Sequence, residues 1–125
     1  MNYKTLIDEF MNDFPELIEL AEKKPWWKEN EEHEPLVHIF AGDIFNPYLI
    51  EQLSVGQNED LLNRIFEFLE LMAISEDTFV KEVLTDTILE RLGDDKQILE
   101  KARAFMRSNT LRMSHEVERF LGREK

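Results

Sequence analysis

Tyr3, Leu6, Ile7, Phe10, Met11 and Phe14 recur at helical spacing, and Leu17, Ile18 and Ala21 extend the same stripe. Pro15 falls inside it. Proline removes one internal hydrogen bond and clashes with the preceding turn, so the pattern predicts two short helices or one bent helix over residues 2–23. Residues 24–34 break the periodicity with two tryptophans and a run of charges between Pro25 and Pro35, and read as a loop or short turn. Helical spacing resumes with Leu36, Val37, Phe40, Ala41, Ile44 and Phe45, then Tyr48, Leu49 and Leu53. Gly42 weakens this stretch and Pro47 is expected to break it, giving helices near 36–45 and 47–54 and a turn at 54–58.

The remaining stripes are cleaner. Asn58 is an expected N-cap, with Glu59 and Asp60 in the first turn, ahead of Leu61, Leu62, Ile65, Phe66, Leu69, Met72 and Ala73. Ser75 is the expected cap of the next helix, with the face Phe79, Val80, Val83, Leu84, Thr87, Ile88 and Leu92 and a stop at Gly93. A connection of one or two residues makes these two helices antiparallel neighbours. Asp94 or Asp95 starts a further helix carrying Ile98, Leu99, Ala102, Phe105 and Met106. Ser108 or Asn109 opens a last one, with Met113, Val117, Phe120 and Leu121 as its apolar face and Gly122 at its end. Strand-type alternation is missing, so the fold class is all-α: a compact array of six to eight short antiparallel helices.

The chain has 125 residues, the size of one domain with one ordinary core. It carries 15 Lys plus Arg against 27 Asp plus Glu, a net charge of −12, the wrong sign for a protein living on phosphate backbones. No nucleic-acid partner is therefore expected. The charge is uneven. Residues 1–60 hold 14 acids and 4 Lys, whereas all seven Arg follow residue 60. Residues 101–125 carry seven bases and three acids, so the molecule is electrically polar with an acidic N-terminal half. The absence of cysteine excludes disulfides, thiol nucleophiles and thiolate zinc sites. The N-terminus lacks the unbroken apolar core of a secretory signal and no window reaches 18 apolar residues. A cytoplasmic protein with no membrane association is the expectation.

Candidate chemistry is sparse. His33 and His38 flank Glu34-Pro35 in a near-match to a zinc-protease helix, but an i, i+5 spacing sets them roughly 140° apart and Pro35 forbids a regular helix between them. No metal and no cofactor is expected. Ser54, Ser75 and Ser108 sit where caps or turns are needed, and Ser114 beside His115 diverges from it on a helix. No glycine flanks a serine as a nucleophile elbow requires, and there is no phosphate-cradling loop, so no catalytic residue is assigned. Of the acid pairs, Glu59-Asp60, Glu76-Asp77 and Asp94-Asp95 sit at helix starts, where the dipole favours them. The acidic loop Glu29, Glu31, Glu32 and Glu34 has no such role, and Trp26-Trp27 stand beside it. Tryptophan presents a large area at low rotamer entropy, and adjacent residues rarely both face a core. Two arrangements are open: one of the pair inside and the other outside, or both covering the end of the bundle. The expected partner-binding set is Trp26, Trp27, Glu29, Glu31, Glu32 and Glu34.

Residues 58–106, with Ser75-Glu-Asp-Thr-Phe-Val-Lys-Glu-Val-Leu and then Leu92-Gly-Asp-Asp, resemble a HEAT-like helical repeat. On that resemblance the single domain 1–125 divides into an acidic N-terminal half, 1–57, and HEAT-like helices over 58–122. No second copy at a fixed period occurs in residues 1–57, so a solenoid is not indicated. In size, charge and style the whole chain resembles small acidic all-helical bacterial proteins, among them immunity proteins of toxin–immunity pairs. That resemblance implies a non-enzymatic module that neutralises a basic toxin domain, such as a nuclease, through an acidic surface. A HEAT-like scaffold or adaptor with a different protein partner is the alternative. The sequence leaves the oligomeric state open.

Overall fold

A computed structural model of the chain describes residues 1–28 and 36–125. Among the described residues helix accounts for 79% and there is no strand, with seven helices in a compact arrangement. A 3-10 turn, Tyr3–Thr5, leads into α1 (Leu6–Asp13), and α2 (Glu16–Lys23) follows directly. Pro15 stands in the N-cap position of α2, so the first stripe divides into two helices there. A second 3-10 turn, Pro25–Lys28, contains both tryptophans. Then come α3 (37–55), α4 (Glu59–Ala73), α5 (78–92), α6 (Lys96–Arg103) and α7 (Ser108–Phe120).

The core is aromatic at its N-terminal end. The Phe10 ring on α1 lies 4.6 Å from both Phe45 and Phe68 and 5.8 Å from Phe40, linking α1, α3 and α4. Each such ring buries a large apolar area and adds tilted ring–ring attraction. Leu62, Ile65, Phe66 and Leu69 of α4 are all fully buried, as are Val80, Val83, Leu84 and Ile88 of α5, and the two helices pack on each other. Phe66 also stacks on Phe105 beyond α6, at 6.1 Å.

Four local expectations are corrected. Pro47 does not break the chain into two helices: α3 runs unbroken from 37 to 55 because its middle, Ala41–Phe45, widens into a π-helical turn. The Asn46 N–H then reaches back five residues to the Ala41 carbonyl, and the wider turn accommodates the proline ring. The connection between α4 and α5 is four residues, and Asp77, not Ser75, caps α5 by accepting from the Phe79 N–H at 2.9 Å. Ser75 Oγ instead accepts from the Asp77 N–H and donates to the Met1 carbonyl, tying down the N-terminus. Neither Ser108 nor Asn109 caps α7 from within; that role belongs to Glu70 on α4, whose carboxylate accepts from the Asn109 and Thr110 amides.

The fourth correction concerns Phe120, which is 90% exposed rather than on the buried face of α7. The buried stripe there is Thr110, Met113, Ser114 and Glu118, three of them polar and each hydrogen-bonded, and position 120 falls off it. Phe79 likewise stands at the edge of its stripe, tilted against Tyr3 at 5.8 Å and mostly exposed.

Candidate functional site

The two tryptophans separate, one inside and one outside. Trp27 is buried, its ring set edge-on against Phe40 at 5.3 Å and its indole N–H donating to the Ala21 carbonyl at 3.0 Å. Trp26 is 46% exposed, and its indole N–H donates to Asp43 Oδ2 at 2.9 Å. The exposed ring is thus held at one edge while much of its surface faces solvent. Glu29, Glu31, Glu32 and Glu34 lie outside the described residues.

Asp43 belongs to the π turn of α3, and Pro47 explains much of what surrounds it. The Asn46 N–H is taken by Ala41 and Pro47 has no N–H, so the Gly42 carbonyl finds no donor within the helix at either spacing. Arg91 of α5 supplies one through Nη1. Its guanidinium lies against the bare Cα of Gly42, where an added Cβ would sit 3.3 Å from both terminal nitrogens. Arg91 Nη1 is also 3.9 Å from Asp43 Oδ1, and Lys24 Nζ donates to the Asp43 carbonyl at 3.3 Å.

A second π-helical segment, Val83–Leu89, faces the first from α5. The bracing is reciprocal: Arg91 of α5 binds a carbonyl of α3, and Asn46 Nδ2 of α3 donates to the Thr87 carbonyl of α5 at 3.1 Å. Asn46 Oδ1 is buried without a hydrogen-bond partner among the described residues. His38 Nδ1 and Thr87 Oγ1 add a further bridge between the two helices at 2.7 Å. Between the segments runs a groove of about 410 Å³ lined by His38, Asp43, Asp86, Thr87, Glu90 and Arg91, together with Ile39 and Asp94. Widened helical turns recur at functional positions because they displace backbone groups from the regular ladder and re-aim side chains. Asp86 and Glu90 sit at i, i+4 on one face, like charges with no cationic partner among the described residues. Asp94 is paired with Arg123 at 2.8 Å. The groove is acidic, and Asp43, one of its lining residues, also holds the Trp26 indole.

A second polar cluster closes the C-terminus. Buried Glu118 is gripped by Arg123, with Nε to Oε1 at 3.0 Å and Nη2 to Oε2 at 2.7 Å. Arg123 also reaches Asp94 and the Glu90 carbonyl at 2.9 Å, and Glu118 beside it pushes its guanidinium pKa up. Glu124 takes His115 Nδ1 at 2.6 Å and Arg103 Nη1 at 2.9 Å. These two contacts hold its carboxyl below the usual range, His115 foremost. Ser114 Oγ is bound by Arg103 Nε at 3.2 Å and has no bond to His115, so the pair lacks the nucleophile–base contact of a triad. Among the described residues no group of three or more His, Asp or Glu is placed to hold a metal ion, and no helix is long and apolar enough to cross a membrane.

Sequence reasoning singled out Trp26 and considered His38 only as a metal ligand; it did not point to Asp43, which holds Trp26, or to Asp86, Glu90 and Arg91, which line the groove with Asp43 and His38. The available signal was Pro47 five residues after Gly42 inside an otherwise unbroken helical stripe, the spacing that leaves one carbonyl of a widened turn without a donor. Residues 7–122 match the model of a family described as "Domain of unknown function (DUF7674)". The chain belongs to that family. No curated protein and no solved structure matches it.

Proposed function

For this member of the DUF7674 family we propose a non-enzymatic protein-binding role, most concretely that of an immunity protein which binds and neutralises a basic toxin domain, such as a nuclease, through an acidic surface. The observation that carries the reading is the exposed, edge-held Trp26 beside an acidic groove. Hot spots favour a rigid aromatic anchor surrounded by groups that set orientation and encounter rate. A nuclease must be basic to hold nucleic acid, so an acidic inhibitor is steered to it and matches its charge. With a net charge of −12, concentrated before residue 61, this chain has the required sign. The role uses no catalytic residue, cofactor or metal.

The test begins from gene order, because an immunity gene directly follows its toxin gene. The C-terminal domain of the upstream product is purified and its toxicity assayed with and without this protein, with binding kinetics at two salt concentrations. Neutralisation is expected. Trp26→Ala is expected to speed dissociation at a cost of roughly 2 kcal/mol or more. Reversing two of Glu29, Glu31, Glu32 and Glu34 to Lys is expected to slow association and flatten its salt dependence. A partner bound at unchanged rates by both variants would move the interface to the helix pair α4–α5 and favour the adaptor reading.

A further inference from the structure

The Trp26 indole has three surroundings that bear on what it binds. Its N–H is fully used by Asp43, so the ring offers its π faces rather than a donor. Asp43 is itself immobilised, since it belongs to the π turn that Arg91 braces through the Gly42 carbonyl, and its own carbonyl takes Lys24. Asp86 and Glu90, which line the groove together with Asp43, have no cationic partner among the described residues. Trp27, the neighbouring ring, already has a cation over it, Lys28 Nζ at 5.3 Å from its centroid.

We propose that Trp26 and the groove beside it receive an arginine side chain of a basic protein partner, the guanidinium lying on the indole face and its N–H groups directed at Asp86 and Glu90, with Asp43 as the positioning residue that sets the ring. This inference rests on the protein-binding reading and names the chemistry of its anchor. Charge complementarity selects a cation, and the pairing of a flat exposed ring with carboxylates selects arginine over lysine by its chemistry. A planar guanidinium stacks on an aromatic face while its five donors serve two carboxylates at once, whereas an ammonium is a compact, strongly hydrated point charge. Indole is the best cation–π partner among the side chains, and its tether by Asp43 reduces the rotamer freedom lost on binding.

The experiment is an NMR titration of the intact chain with tetra-arginine amide, and in parallel with tetra-lysine amide, at low and moderate salt. The two tryptophan indole resonances are assigned with Trp26→Phe. Tetra-arginine is expected to shift the Trp26 indole resonance and leave Trp27 in place. The arginine Hδ protons are expected to move upfield under the indole ring current, and tetra-lysine to bind at least about three-fold more weakly. Asp43→Asn keeps an acceptor for the indole and removes one charge, so the upfield shift should survive with a few-fold weaker affinity. Asp43→Ala frees the ring and should abolish that shift, while unchanged circular dichroism reports an intact fold. Equal responses to the two peptides, no upfield shift, or an undiminished shift in Asp43→Ala would each overturn the proposal. Neutralisation of a toxin that depends on Trp26, without any arginine ring-current shift, would overturn this inference and leave the protein-binding reading standing. Arginine uptake by a protein that neutralises no partner would do the reverse.

Discussion

Replacing Glu70 by Ala should destabilise the fold by about 3 kcal/mol, although Glu70 lies mid-sequence on a different helix from the one it caps. Its Oε1 accepts from the Thr110 N–H and Oγ1, both at 2.9 Å, and its Oε2 from Asn109 Nδ2 at 2.8 Å and the Asn109 N–H at 3.3 Å. Those two amides are orphan donors in the first turn of α7, and Thr110 is fully buried. A hydrogen bond to a charged group contributes about 1.5–3 kcal/mol, and a buried donor left unmade costs about 1–3 kcal/mol. Water entering from the half-exposed side offsets part of this, so about 3 kcal/mol in total is expected. For a chain of this size that is a drop in melting temperature of roughly 10 °C, taking about 3–5 °C per kcal/mol. Glu70→Gln keeps one acceptor oxygen and should lose about half as much.

The same contact has a pH signature. Burial pushes the Glu70 carboxyl up, but the bonds from Asn109 and Thr110 together outweigh it and hold it below its usual value of 4.5. A carboxyl depressed by folding contributes stability that is complete above its unfolded pKa and is lost as pH falls through its folded pKa. The difference in melting temperature between the natural chain and Glu70→Gln should therefore be widest above about pH 5 and narrow steadily in acid. Thermal melts followed by far-UV circular dichroism at several pH values, with hydrogen exchange of the Thr110 amide, measure both effects. A loss below about 0.5 kcal/mol at pH 7, or a difference that widens in acid, would refute the capping argument.

Gly93→Ala should destabilise by about 1–3 kcal/mol, because a Cβ there runs into the Glu118 carboxylate that Arg123 holds in place. The loss should be less than additive with Arg123→Ala in a double-mutant cycle, and full additivity would separate the two sites. Phe66→Ala should cost about 3–5 kcal/mol by chemical denaturation, as a fully buried ring between α4 and Phe105 leaves a cavity. Raising salt to about 0.2 M should raise the melting temperature slightly by screening the acids of residues 1–60, and a flat or falling response would show those acids to be locally compensated.

Helical periodicity and local cap chemistry carried the all-α class, a break at Pro15, the faces of α4 and, apart from Phe79, of α5, the cap by Asn58, and Asp95 as one of two candidates for the next. Asn58 Oδ1 accepts from the Leu61 N–H at 3.0 Å and Asp95 Oδ1 from the Gln97 N–H at 2.9 Å, contacts of two or three residues' reach that a sequence window contains. The split of Trp26 from Trp27 was only one of two arrangements the sequence left open, because which adjacent ring is covered depends on what the fold packs against it. Tertiary structure decided the rest. Pro47 reads as a helix stop by its local chemistry, yet α3 passes through it, because the carbonyl that the proline leaves unpaired meets Arg91, 49 residues away. Ser108 reads as a cap, yet Glu70 takes that role from 39 and 40 residues away. Phe120 reads as core, yet Thr110, Ser114 and Glu118 occupy the buried face, each satisfied by partners beyond its own helical turn. Local sequence fixes which backbone and side-chain groups need a partner, and a polar group can be buried wherever the fold brings one.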